Sequence, residues 1–109
     1  DAQWQKQVAL QKGLAYSSLG EVNVNKGRNP QAIDAFKQAA PLLKSDTFSY
    51  AQNQYRLGFT LAKMQRIPEA RVVLTEVIGL NSPYKSRAME TLNKIGGPIG
   101  SGKATKKSS

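Results

Sequence analysis

Two stretches of this chain repeat one another at an offset of 38 residues, which constrains the possible folds more than any other feature. Leu19-Gly20 returns as Leu57-Gly58, Ala32 as Ala70, Phe36 as Leu74 and Ala39 as Val77. After each glycine a small residue follows twelve positions on, a bulky apolar residue four later and another apolar residue three later. Repetition at this period marks stacked helical hairpins, in which one repeat alone cannot bury its apolar face. A layered all-α chain is therefore predicted, with a surface suited to binding rather than catalysis.

The helices follow from periodicity and punctuation. Residues 2–25 carry Trp4, Val8, Ala15, Leu19 and Val22 on one stripe, which predicts one long helix packed through that face. Gly27 suits a left-handed C-terminal cap, Asn29 a cap for the next helix and Pro30 its first turn. A second helix is expected over 30–43, striped by Ala32, Phe36, Ala39 and Leu43. A third over 47–65 is capped by Ser45 or Asp46 and striped by Phe48, Ala51, Tyr55, Gly58 and Ala62. Arg66-Ile67-Pro68 opens a fourth over 68–80, with Ala70, Val73, Leu74 and Val77. Ser82 and Pro83 open a fifth over 83–95, with Tyr84, Ala88, Leu92 and Ile95, and Gly96-Gly97-Pro98 stops it. No segment alternates with period two, so no strand is expected. Gly20 and Gly58 lie inside helices, where glycine costs about 1 kcal/mol relative to alanine. A close helix crossing explains that cost, with Ala32 and Ala70 as the expected opposing residues.

This pattern resembles the tetratricopeptide repeat family, whose hairpins carry Leu-Gly in the first helix and Ala, an aromatic or Leu, then Ala in the second. The resemblance covers residues 13–46 and 51–84, with 83–95 as the first helix of a truncated third repeat. Asn23 and Leu61 stand where the family usually has an aromatic. The resemblance implies a right-handed solenoid of antiparallel hairpins over residues 1–95, about two and a half repeats, followed by a Gly/Ser/Lys-rich tail over 96–109. It also implies an inner groove on the first helix of each hairpin. In this chain that groove comprises Leu14, Ser17, Ser18, Glu21 and Val24, then Gln52, Tyr55, Arg56, Phe59 and Lys63. Ser17 and Glu21 fall where a carboxylate clamp would need cationic or amide groups, so a clamp is not expected. Tyr55 and Phe59, sharing the packing stripe, are read as core rather than ligand platform.

Charge is the second strong signal. Sixteen Lys and Arg stand against seven Asp and Glu, a net +9 that is heaviest in residues 81–109. An imbalance of this size points to a polyanion, most readily RNA or another nucleic acid held by its backbone. The residues expected to hold it are Arg56, Lys63, Arg66, Lys85, Arg87, Lys94, Lys103, Lys106 and Lys107. Stacking aromatics near these cations are few, chiefly Tyr50, Tyr84 and Trp4, so base-specific reading is not expected.

The same composition narrows the chemistry. Cysteine and histidine are both absent, which removes the commonest metal ligands and the commonest general base. Residues 97–104 imitate a phosphate-binding loop, but no strand precedes them and Ala104 replaces the magnesium-ligating hydroxyl. Glu69 and Glu76, seven apart, are read as structural. No enzyme, cofactor or metal site is expected, nor membrane insertion.

Solenoids need polar ends to stay monomeric. Here Trp4 and Val8 at one end and Tyr84, Leu92 and Ile95 at the other predict head-to-tail association of copies, open-ended and filamentous if it does not close. The rival expectation is an adaptor that holds a partner protein or peptide in the inner groove. The sequence opens at Asp1 rather than Met, which fits a processed chain and an exported protein, extracellular or periplasmic.

Overall fold

The computed structural model describes residues 1–97. Among them are five α-helices and no strand: α1 (Ala2–Asn25), α2 (Asn29–Leu43), α3 (Thr47–Lys63), α4 (Ile67–Ile78) and α5 (Lys85–Lys94). None is long and apolar enough to cross a membrane. The most extensive packing joins α1 to α2 and α3 to α4; α2 then packs on α3 and α4 on α5. The chain is thus two helical hairpins in series, closed by one further helix.

The repeat is written into the hairpin turns. Arg28 N–H donates to the Asn23 carbonyl at 2.8 Å, and Arg66 N–H to the Leu61 carbonyl at 2.9 Å, each closing the end of a first helix. The residue before each of these is left-handed: Gly27 at φ 76° and Gln65 at φ 62°. A proline then occupies the first turn of the second helix, Pro30 in α2 and Pro68 in α4, where a missing N–H is harmless.

The two helical glycines also match. A Cβ built on Gly20 would lie 2.5 Å from the Phe36 ring, and one on Gly58 would lie 2.7 Å from Leu74. The glycines therefore make room for the bulky repeat position of the second helix. Ala32 and Ala70 are fully buried, but neither supplies the nearest atoms, which corrects the expected small-on-small crossing.

The capping expectations are corrected in part. Asp46 caps α3 through Ser49 N–H, as expected. Asn29 is instead the first residue of α2, and its buried Oδ1 has no hydrogen-bond partner. Ser82 Oγ accepts from Tyr84 N–H at 3.2 Å, holding a turn ahead of α5 rather than capping the helix. The helix also runs through Pro41 in α2, near its C-terminal end, without stopping there.

A larger correction concerns α1. Its buried residues are Gly13, Ser17, Gly20 and Asn23, whereas Trp4, Val8, Leu19 and Val22 are 67, 40, 49 and 46% exposed. Successive residues of an α-helix point about 100° apart, so Leu19 and Gly20 cannot both face α2. The glycine goes inward because Phe36 needs its space, and the apolar stripe goes outward. In α3 the equivalent Leu57 and Gly58 are both buried, because α3 has a hairpin helix on each side.

The main core gathers Ile33 and Phe36 of α2, Leu57 and Leu61 of α3, Leu74 and Val77 of α4 and Leu92 of α5. A second cluster, Ala39, Leu43 and Tyr50, seals the other end of the α2–α3 junction. Leu92 is wholly inside and presents nothing to a neighbouring copy, while Ile95 is half-buried against the same core. The outer face of α5 is mostly polar, with Lys85, Arg87, Glu90, Asn93 and Lys94 and an exposed Met89.

Candidate ligand-binding face

Three aromatic residues of α3 stand on the face it shares with the first helix of each layer. Phe48 and Phe59 are 49 and 42% exposed, and Tyr55 between them is half-buried. Tyr84, arriving from the turn before α5, completes the row. Ring centroids run Phe48 to Tyr84 5.7 Å, Tyr84 to Tyr55 5.8 Å and Tyr55 to Phe59 6.0 Å. Four rings thus form a continuous ribbon across the second and third layers. Gln52 Nε2 donates to the Tyr84 hydroxyl at 2.7 Å and pins the ring that the α5 turn contributes.

Cations border the ribbon. The Arg87 guanidinium lies 5.5 Å over the Tyr84 ring and the Lys63 ammonium 5.9 Å over Phe59, both within cation–π range. Where the ribbon meets α1, Glu21, Val24, Tyr55, Arg56 and Phe59 line a pocket of about 150 Å³. Arg56 crosses its mouth to pair with Glu21 at 3.2 Å. All five predicted groove residues of α3, Gln52, Tyr55, Arg56, Phe59 and Lys63, therefore meet on one face. Phe59 belongs to the surface, not the core as expected, and Phe48 was not foreseen as part of the groove. The signal for both was their spacing from Tyr55: Phe48, Tyr55 and Phe59 step by seven and four, one helix face.

Behind the ribbon a polar network fixes α3 against its neighbours. The Tyr50 hydroxyl donates to Glu76 Oε2 at 2.5 Å, and Gln54 Nε2 donates to Glu76 Oε1 at 3.0 Å. Asn53, fully buried, donates to the Phe36 carbonyl at 2.9 Å and to Gln54 Oε1 at 3.0 Å. Its Oδ1 has no hydrogen-bond partner. Burial first, then the hydrogen bond and negative charge of Glu76, push the Tyr50 phenol well above its ordinary range. Glu76 thus ties α4 to α3 at two points.

The predicted polyanion residues do not form one patch. Arg56 pairs with Glu21, Arg66 takes Glu69 through two hydrogen bonds of 2.7 and 3.0 Å, and Lys94 approaches Glu90 at 3.9 Å. The Arg66 hydrogen bonds hold the Glu69 carboxyl below the usual carboxylate range, and Lys37 stands 3.7 Å from the same group. Lys63 and Arg87 sit over rings, and Lys85 is exposed at the start of α5. Lys103, Lys106 and Lys107 lie outside the described residues, as does nearly all of the phosphate-loop look-alike. Of the predicted self-association residues, Trp4 and Val8 are exposed on α1, whereas Tyr84 is engaged in the ribbon and Leu92 is buried. Among the described residues no three acidic, histidine or cysteine side chains gather as a metal would require.

Comparison of the chain with protein-family models, with curated proteins and with solved structures finds no match.

Proposed function

We propose that this chain is a tetratricopeptide-type binding module, a short right-handed solenoid whose inner face takes an extended, acidic segment of a partner protein. The observation that carries this reading is the ribbon of Phe48, Tyr84, Tyr55 and Phe59, half-open to solvent and edged by Lys63 and Arg87. Exposed aromatics in a row supply rigid apolar contact at low entropic cost, and aromatic anchors dominate the energetics of recognition surfaces. A peptide lying along α3 would set apolar side chains on the rings and carboxylates on the cations beside them. The α1–α3 pocket would take one larger side chain, with Arg56 as its charged lip.

A second reading rests on the net charge of +9. The same rings and cations suit single-stranded nucleic acid, bases on the aromatics and phosphates on Lys63, Lys85 and Arg87. The peptide reading is preferred because a nucleic-acid strand brings a phosphate with every base, whereas among the described residues Lys63 and Arg87 alone stand over these rings and Arg56 already pairs with Glu21. Fluorescence anisotropy with a labelled decapeptide alternating Leu or Phe with Glu, set beside labelled decathymidine, separates the two. The peptide should bind, and Phe48→Ala with Phe59→Ala should weaken it by at least about tenfold, the equivalent of about 1.4 kcal/mol. Binding of decathymidine alone, with a steep loss on adding salt, would transfer the site to nucleic acid.

A further inference from the structure

We propose that the outward face of α1 is a self-recognition surface, on which two copies of the chain pair antiparallel about Ala15. The first observation is the repeat itself. Ala15, Leu19 and Val22 are the equivalents, 38 residues earlier, of Asn53, Leu57 and Thr60. Those three are buried where α2 packs on α3, and Asn53 donates to the Phe36 carbonyl there. Among the described residues no helix covers the same positions of the first layer, and Leu19 and Val22 stand about half-exposed. Among the described residues, then, this face is helix-covered in the second layer and open in the first.

The second observation selects a second copy as the occupant. Val8, Lys12, Ala15, Leu19 and Val22 step by four, three, four and three, the spacing of a two-helix seam. The seam is centred on Ala15, with Val8 and Val22 seven residues to either side, so those three positions read the same in both directions. Antiparallel pairing centred on Ala15 sets Val8 against Val22 of the second copy and lets the two backbones approach at the alanines. It also brings Trp4, 67% exposed, to Lys26 of the second copy, an exposed cation facing a bare indole. Shallow hollows lie along the seam, one bounded by Trp4, Val8, Lys12 and Leu42 and another by Lys12, Ala15, Tyr16 and Leu19. Such hollows receive the side chains of a facing helix.

The far end of the stack argues for like pairing with like. Head-to-tail association would set the α1 seam on the outer face of α5, which carries Lys85, Arg87, Glu90, Asn93 and Lys94 around a single exposed apolar residue, Met89. That face would desolvate charges against valine and leucine, an unfavourable exchange. A two-fold pair buries apolar surface on both sides and closes on itself, so it ends at the dimer.

The chain contains no cysteine, so single cysteines give a clean test. Under mild oxidation Ala15→Cys should form a covalent dimer at least about tenfold faster than Asn93→Cys on α5, because pairing raises the effective thiol concentration. Val8→Cys should not link to itself, but should link to Val22→Cys when the two variants are mixed. Sedimentation of the unmodified chain should show a concentration-dependent monomer–dimer equilibrium, lost in Leu19→Glu with helicity retained by circular dichroism. A monomer at every concentration, equal rates for Ala15→Cys and Asn93→Cys, self-linking of Val8→Cys, or growth past the dimer would each overturn the proposal.

Discussion

Gln65 shows how a single residue can work against an otherwise faithful repeat. It occupies the left-handed position that Gly27 fills in the first hairpin, with φ 62° against 76°. A side chain in that conformation costs about 1–2 kcal/mol, because Cβ crowds the neighbouring carbonyl. The turn tolerates it since Arg66 N–H still reaches the Leu61 carbonyl at 2.9 Å. Gln65→Gly should raise unfolding stability by about 0.5–1 kcal/mol, the relief of strain less the greater freedom glycine gives the unfolded chain. Gly27→Gln should lower it by a similar amount. Urea unfolding followed by circular dichroism measures both, and a Gln65→Gly chain no more stable than the natural one would show that the turn, not the residue, sets the cost.

At the level of the element, α3 is the helix that both organises the core and presents the ribbon, and Glu76 of α4 fixes its rotation. Tyr50 is held in its neutral, hydrogen-bonded form, with its pKa raised in the folded state. An acid bound more tightly to its proton when folded contributes stability that is whole below the unfolded value of about 10 and falls as pH rises beyond it. Thermal unfolding of the natural chain and of Tyr50→Phe should therefore converge as pH climbs above about 10, with the natural chain the more stable below it. A constant gap across that range would mean the phenol does not titrate with folding. The same helix shows what the sequence discloses. All five helices and the faces of α2 are legible, because Ala32, Phe36, Ala39 and Leu43 form one unambiguous stripe with nothing polar in it. That Gln52, Tyr55, Arg56, Phe59 and Lys63 share one face of α3 is legible in their spacing of three, one, three and four. The buried face of α1 was hidden because small and polar residues, Gly13, Ser17, Gly20 and Asn23, go inward there while valines and leucines go out. Apolar periodicity finds the face that is greasy, and among the described residues the first layer turns that face to solvent. The ribbon was missed for the opposite reason, since aromatics at helical spacing read as core until a neighbouring helix fails to cover them.

Taken whole, the molecule is uneven from one end to the other: packed on both sides in the middle, polar at α5, apolar and half-covered at α1. That asymmetry makes a prediction about where the structure opens. Local unfolding free energies track buried apolar contact and fall toward zero where a helix has none. Residues 1–8 of α1 are all exposed, so beyond the Asp1 cap on Trp4 N–H and an open contact with Leu42 little but their own helical bonds holds them. An isolated helix end of two turns is marginal in water. Hydrogen exchange on a dilute sample should thus show fast exchange at residues 5–8, whose amides bond within the helix, and slowest exchange in α3, which buries eight residues and packs on both α2 and α4. Raising the protein concentration should slow exchange along α1 while leaving α3 and α4 unchanged, because their opening is already limited by the core. The two halves of the measurement are independent. A flat profile in dilute solution would show that α1 is held by something other than α2, whereas a steep profile that ignores concentration would leave the layered fold intact and remove the self-recognition face.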